Sequence, residues 1–395
     1  MNGPVESGAG VTAPRGFRAS GVAAGLKVGG GRDVAIVVND GPEHSAAVVT
    51  TSNRVKAAPV VWTDRVVGDG QLRAVVLNSG GANACTGQAG RDDVATTAAL
   101  LAGLLSCQPE EVAVCSTGLI GVRLPMRELT EGVRAAHQTL SDEGGRDAAS
   151  AILTTDTVTK TEVLTVGAVT VGAMAKGAGM LAPALATMLV VITTDAVVAP
   201  ATLDAALRSA TAVTFDRLDS DGCQSTNDTV LAMASGASGV LVGRDLPEPE
   251  FAEALATVCS SLAQQLLADA EGASKQIEIT VAYALTEDDA VTVARAVARS
   301  NLFKCAIHGE DPNWGRVLAA VGTAPAAFDP DALSVSINGV QVCDGGTGVD
   351  AEELVDLTSD RVVVQVGLAA GTEQATVWTN DLTAAYVHEN SAYST

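Results

Sequence analysis

Apolar residues fall in short runs along this chain, and the runs alternate with longer amphipathic stretches. Residues 73–77 read as a strand buried on both faces, since a half-exposed strand would alternate polar and apolar positions. A loop rich in Asn, Gly and Ser follows. An Ala/Leu-rich helix then runs to about residue 106, with Asp92 and Asp93 at its start, where a helix N-terminus favours negative charge. Residues 112–115 predict a short strand that ends at Ser116-Thr117-Gly118, and 162–174 a hairpin turning near Gly167. A second buried strand is expected at 188–193, with helices near 201–212 and 249–269. The C-terminal third predicts a strand at 277–284, a helix at about 287–300 and two hairpins. One spans 336–342, where Asn338-Gly339 between β-prone runs is a strong turn signal, and the other joins 361–366 to 375–379.

The sum is a mixed α/β protein with substantial antiparallel sheet. With 395 residues the chain exceeds what one small core needs, so two lobes or domains are expected. The linker candidates are 141–146 and 310–330, neither a disordered tether, and there is no internal repeat.

Composition narrows the function. Hydrophobic residues at 47% against 18% charged fit a compact globular protein and argue against disorder. A net charge of −22 with no basic stripe excludes binding to a phosphate backbone. The cysteines (Cys85, Cys107, Cys115, Cys223, Cys259, Cys305 and Cys343) are dispersed without CxxC, which fits buried thiols in a reducing cytosol. His44, His137, His308 and His388 form no ligand pair, so no metal site is expected. Gly29-Gly30-Gly31 reads as a turn. Neither it nor Gly177-Ala178-Gly179 meets the dinucleotide fingerprint, and no cofactor is implied. Residues 1–27 hold no apolar signal region, and no run approaches the roughly 20 residues of a membrane helix. A cytoplasmic protein without membrane contact is the expectation.

Thr187 stands between the small-residue stretch that begins Lys176-Gly177-Ala178-Gly179 and the apolar run 188–192. A threonine there is either an ordinary β-branched residue entering a strand or a nucleophile released by self-cleavage. Small residues let the backbone adopt the tight conformations such a cut requires. The Thr187 hydroxyl would attack the carbonyl of Ala186, and water would open the resulting ester. The freed α-amine, with an ordinary pKa of roughly 7.7–8.0, can then serve as the base for its own hydroxyl without any histidine.

Eight segments in order give this chain a family resemblance. They are Asn78 through Gly87, Cys115-Ser116-Thr117-Gly118, Leu153-Thr154-Thr155-Asp156-Thr157, the 176–194 block, Ser225-Thr226-Asn227-Asp228-Thr229, Asp269-Ala270-Glu271-Gly272, Asp311 through Arg316, and Asn390 through Thr395. Over nearly its whole length the chain resembles the ornithine acetyltransferase (glutamate N-acetyltransferase) family of arginine biosynthesis. It departs from the usual family pattern at Ala182, at Ala184-Leu185 and at Ser79-Gly80-Gly81.

The resemblance implies a layered α/β sandwich with mixed, largely antiparallel sheets plus a smaller α/β lobe. It implies cleavage between Ala186 and Thr187 into an α chain (1–186) and a β chain (187–395), assembled as a heterotetramer. Thr187 would carry acetyl from N-acetylornithine to glutamate in a ping-pong reaction that releases ornithine, with Thr117 and Gly118 as the oxyanion hole. Lys176 would pair with the substrate's α-carboxylate and Glu271 would face its amino group. Thr154 (or its neighbour Thr155), Asn390 and Thr395 would complete the site. The resemblance leaves open whether acetyl-CoA is a second donor. Asp311 through Arg316 and Ser225 through Thr229 read equally as Asx-type turns and buried hydrogen bonds, and are not taken as catalytic. Two rivals remain at this level: an N-terminal-nucleophile amidohydrolase that uses water as acceptor, and an uncleaved binding protein on the same scaffold.

Overall fold

The computed structural model describes residues 9–180 and 188–392. Two sheets form the larger lobe. The first has the order β1-β2-β4-β5, from β1 (Phe17–Val22), β2 (Val34–Asn39), β4 (Ala74–Ser79) and β5 (Val112–Thr117). The second has the order β3-β9-β8-β7-β6, from β3 (Ser45–Thr50), β6 (Lys160–Val166), β7 (Val169–Lys176), β8 (Leu189–Thr194) and β9 (Thr229–Ala234).

Side-chain alternation along these strands feeds three cores. Val75, Leu77, Ala113 and Cys115 of the first sheet meet Met174, Leu189, Val191 and Leu231 of the second, so the sheets stack face to face. Val76, Ala74, Val112 and Val114 point the other way, onto α2 (Gly87–Leu105) and α3 (Met126–Gln138). Val171, Ala173, Val190 and Ile192 face α5 (Pro200–Val213) and α6 (Glu248–Ala268). Strands covered on both faces explain why 73–77 and 188–193 read as unbroken apolar runs. Two shorter helices complete the lobe: α1 (Ala58–Val66) lies against β5, and α4 (Gly145–Ala151) against β1.

The smaller lobe has the sheet order β13-β12-β11-β14-β10-β15. Its strands are β10 (Gln276–Ala284), β11 (Ser334–Ile337), β12 (Val340–Asp344), β13 (Thr347–Gly348), β14 (Arg361–Gly367) and β15 (Glu373–Asn380). One face is covered by α7 (Glu287–Ala298), α8 (Asn301–His308) and α9 (Trp314–Val321). Here the strands alternate buried and partly exposed positions, as a one-sided sheet requires. A last helix, α10 (Ala384–Ala392), follows β15. The result is the layered sandwich with a smaller α/β lobe that the resemblance implied. Its pairings are mostly antiparallel, with parallel pairs β4–β5, β8–β9 and β10–β14.

Several expectations are met locally. Val166 pairs with Val169 around Gly167, and Asn338 and Gly339 both adopt positive φ between β11 and β12. Others are corrected. The run 361–366 and the run 375–379 form strands but not a hairpin, because β10 lies between them, parallel to β14 and antiparallel to β15. The helix expected at about 287–300 is present as α7, which stops at Ala298, and Ser300, whose side chain accepts the Phe303 N–H, starts the separate helix α8 beyond it. Helix α2 begins at Gly87, so Asp92 and Asp93 lie more than a turn inside it, and Asp93 is buried against Arg123 (2.6 Å).

Neither linker candidate links. Ser141 exchanges backbone hydrogen bonds with Ala19 of β1, and 310–330 contains α9, whose Val317 and Val321 enter the small-lobe core. Of the thiols, Cys115, Cys259 and Cys343 are buried, whereas Cys85, Cys223 and Cys305 are exposed.

Candidate active site

Strand direction brings the site together. The parallel pair β4–β5 ends with Ser79 beside Thr117, and the parallel pair β8–β9 starts with Leu189 beside Thr229. Lys176, the last residue of the antiparallel β7, is registered against Leu189. Five strand termini therefore converge at one end of the sandwich.

The β5 end is shaped by glycine. Gly80 and Gly81 N–H both donate to the Thr117 carbonyl at 3.0 Å. Gly118 has φ +125°, and a Cβ there would lie 2.6 Å from Gly81 N, so only glycine fits. Buried polar side chains hold this turn from below. Ser116 Oγ and Asn78 Oδ1 are 2.6 Å apart, and Asn227 Nδ2 donates to the carbonyls of Ala82 (2.6 Å) and Ser116 (2.8 Å). The Thr117 hydroxyl is buried, and among the described residues it has no hydrogen-bond partner. Buried hydroxyls are normally satisfied, so an orphan beside a cavity is a donor in waiting.

That small cavity is lined by Thr117, Gly118, Thr154, Thr155, Lys176, Glu271 and Asn390, together with Ser225, Thr226 and Asn227. All the described residues expected from the sequence to form the site thus meet in one place. Ala186, Thr187 and Thr395 lie outside the described residues.

One cation and one anion give the cavity polarity. Lys176 is buried, and its amine stands 3.7 Å from Asp156 Oδ2. Burial lowers its pKa, while the Asp156 charge works in the opposite direction. Asp156 is buried too, yet Lys176 and Lys160, with the Gly177 N–H at 2.6 Å, overcome burial and hold its carboxyl well below the usual range. Glu271 accepts from the Thr155 hydroxyl (2.7 Å) and from Asn390 Nδ2 on α10 (3.1 Å). Its backbone N–H donates to Ala178 O, and a Cβ at Gly179 would fall 2.5 Å from its carboxylate. The Thr154 N–H donates to Asp156 Oδ2, so Thr154 is fixed through its backbone and Thr155 through its hydroxyl.

Asp228 underlies the site from the start of β9. Its Oδ1 accepts the Met188 N–H at 3.1 Å, and its Oδ2 has no hydrogen-bond partner among the described residues. Burial pushes its carboxyl well above the ordinary value, against the opposing pull of the Met188 N–H, Ser225 and the Lys176 charge.

A four-layer α/β sandwich whose strand ends enclose a small cavity with a buried ammonium and a carboxylate is an enzyme for a small charged substrate. The profile of the ArgJ family matches residues 18–395, and the chain belongs to that family. It is 63% identical to the arginine biosynthesis bifunctional protein ArgJ of Thermobifida fusca over 385 residues, covering 98% of this chain and 100% of that protein. The corresponding protein of Streptomyces coelicolor is also 63% identical, over 97% of this chain and 99% of its own. Among solved structures, an ornithine acetyltransferase from Mycobacterium tuberculosis in complex with ornithine is 50% identical, with a TM-score of 0.41. That match covers 46% of this chain and 96% of the other. The family resemblance read from the sequence is borne out, and the chain is an acetyltransferase of arginine biosynthesis.

Sequence reasoning passed over Asp156, Lys160, Asp228 and Asp269 as individual residues, and set Ser225, Thr226 and Asn227 aside as structural. A signal for the second group existed: a run of polar residues directly before the apolar β9. For the pairing of Lys160 with Asp269 there was none, because the two are 109 residues apart in the chain. Among the described residues no group of His, Cys, Asp or Glu is placed to hold a metal ion, and no helix is long and apolar enough to cross a membrane.

Proposed function

We propose that this enzyme cleaves itself between Ala186 and Thr187 and then moves acetyl from N-acetylornithine to glutamate on the Thr187 hydroxyl. The α-amine of Thr187 takes the hydroxyl proton as the oxygen attacks the acetyl carbonyl. Thr117 and Gly118 steady the oxyanion, the amine of ornithine leaves with the proton, and Thr187 is left as its acetyl ester. The amine of glutamate attacks that ester in the second half, along the reverse path.

The observation that carries this reading is the cavity itself, where a hydroxyl without a partner among the described residues, a buried ammonium and a carboxylate converge from separate segments. Lys176 pairs with the α-carboxylate and Glu271 with the side-chain ammonium, assisted by Thr154, Asn390 and Thr395. Lys176 and Leu189 stay registered on β7 and β8, so a cut between them leaves both products in one folded body. The α (1–186) and β (187–395) chains assemble in pairs as a heterotetramer, in the cytoplasm. Acetyl transfer from N-acetylornithine to glutamate by the wild type, and its loss in Thr187→Ala, test the mechanism. Release of free acetate without any dependence on glutamate would replace it with an amidohydrolase. A second donor draws support from the word bifunctional in the names of the relatives. Acetylation of glutamate from acetyl-CoA alone is its assay.

A further inference from the structure

We propose that Lys160 is a positioning residue that keeps the Lys176 ammonium available to substrate by occupying the other half of Asp156. The inference rests on Lys176 as the anchor for the substrate's α-carboxylate. Lys160 is not among the described residues that line the cavity. Its side chain is fully buried at the start of β6, with its amine 2.8 Å from Asp156 Oδ1 and 2.5 Å from Asp269 Oδ2.

The two oxygens of Asp156 are unequally used. Oδ1 accepts from Lys160 and from the Gly177 N–H, both at hydrogen-bond distance. Oδ2 accepts from the Thr154 N–H at 3.1 Å and sees Lys176 only at 3.7 Å, beyond hydrogen-bond range. An ammonium and a carboxylate alone together in a buried place would close to about 2.7–2.9 Å, because their attraction grows as solvent is excluded. An incoming carboxylate would then have to break that pair. Lys160 removes the competition by neutralising Asp156 first. Lys160 makes its close contacts to both Asp156 and Asp269, and among the described residues the Lys176 amine has no carboxylate nearer than the 3.7 Å to Asp156, so its donors are not committed there.

Lys160 also joins the two ends of the site. Asp156 follows Thr154 and Thr155, while Asp269 opens the turn that carries Glu271. The Thr157 N–H donates to the same Asp269 oxygen at 3.0 Å, which ties the two segments a second time. One buried amine therefore fixes the spacing between the carboxylate anchor and the ammonium anchor, and so the length of substrate accepted.

The test is the selectivity of the full, processed enzyme for a donor that bears the α-carboxylate. Steady-state kcat/KM is measured for N-acetylornithine and for its decarboxylated analogue N-acetylputrescine, in the wild type and in Lys160→Met. The preference for N-acetylornithine should fall by about tenfold or more in the variant, equivalent to ~1.4 kcal/mol, and the loss should sit in KM rather than kcat. A purely structural Lys160 would depress both substrates alike, and an unchanged ratio overturns the proposal. Should Lys160→Met fail to fold, Asp269→Asn asks the same question from the other side. It leaves the Lys160 charge wholly to Asp156, so the ratio must hold or rise, and a fall overturns the inference. A wild type that shows no preference for the carboxylate would remove the anchor reading of Lys176, and this inference with it.

Discussion

Asp156 and Asp228 are both buried within the influence of Lys176, and their carboxyls are driven in opposite directions. Asp156 has a cation on each side and a backbone N–H on each oxygen, so it stays ionised at any ordinary pH. Asp228 accepts the Met188 N–H on one oxygen and has no hydrogen-bond partner for the other among the described residues, and burial there outweighs Ser225 and Lys176 and raises the pKa of its carboxyl. Burial penalises charge in both; what differs most is the number of donors and cations the fold supplies. The substrate side of the cavity is thereby built around a firmly ionised acid, while the start of β8 is braced by one whose charged form burial disfavours.

The largest effect should come from removing the ionised member. Asp156→Ala leaves Lys160 with Asp269 alone and takes from the buried Lys176 its paired carboxylate, and the unfolding free energy should drop by about 3–5 kcal/mol in urea denaturation. An equal loss from Asp228→Ala would erase the distinction.

Next comes Asp228→Asn, which preserves an acceptor for Met188 and is neutral at every pH. A carboxyl with a raised folded pKa binds its proton more tightly when folded. Stability therefore declines as pH rises from the unfolded pKa of about 3.9 through the folded value. Asp156, with a depressed pKa, contributes stability above about 3.9 that is lost as pH falls through its folded value. Asp228→Asn should remove the decline on the alkaline side and stabilise the protein at neutral pH by about 1–3 kcal/mol. Melting temperatures across pH read this directly, and a destabilised Asn variant would mean that Asp228 is ionised.

Lys176→Met then separates binding from folding. Asp156 keeps Lys160, so stability should move by only ~1 kcal/mol, while KM for N-acetylornithine rises about tenfold. Initial-rate kinetics set beside urea titration of the same sample check both numbers.

The smallest effect belongs to a residue far from both acids. The Asn313 side chain accepts the Arg316 N–H and caps α9. Asn313→Ala should cost about 1 kcal/mol and leave turnover unchanged.

What could be read from the sequence was whatever has a local cause. The apolar runs of β4 and β8, the Asn338-Gly339 turn and the Gly167 turn depend on neighbours in the chain, and they appear as expected. The insertion of β10 between β14 and β15 depends on which strands pair across the lobe, and no local pattern records it. In the site the same division holds. Lys176, Glu271 and Thr117 were found through motifs, whereas the bond from Lys160 to Asp269 joins two segments 109 residues apart. A buried ion pair of that kind leaves no period and no spacing to read. The polar run from Ser225 to Thr229 was visible, but its role in holding Ser116 and Ala82 followed only from the packing.

The central claim is that Thr187 is both the product of cleavage and the acetyl carrier. Denaturing mass spectrometry of the purified protein, before and after N-acetylornithine is added without glutamate, tests both halves at once. The account predicts two chains, 1–186 and 187–395, and one acetyl group gained by the second at its terminal threonine. A single uncut chain, or an acetyl group on any other residue, would contradict it.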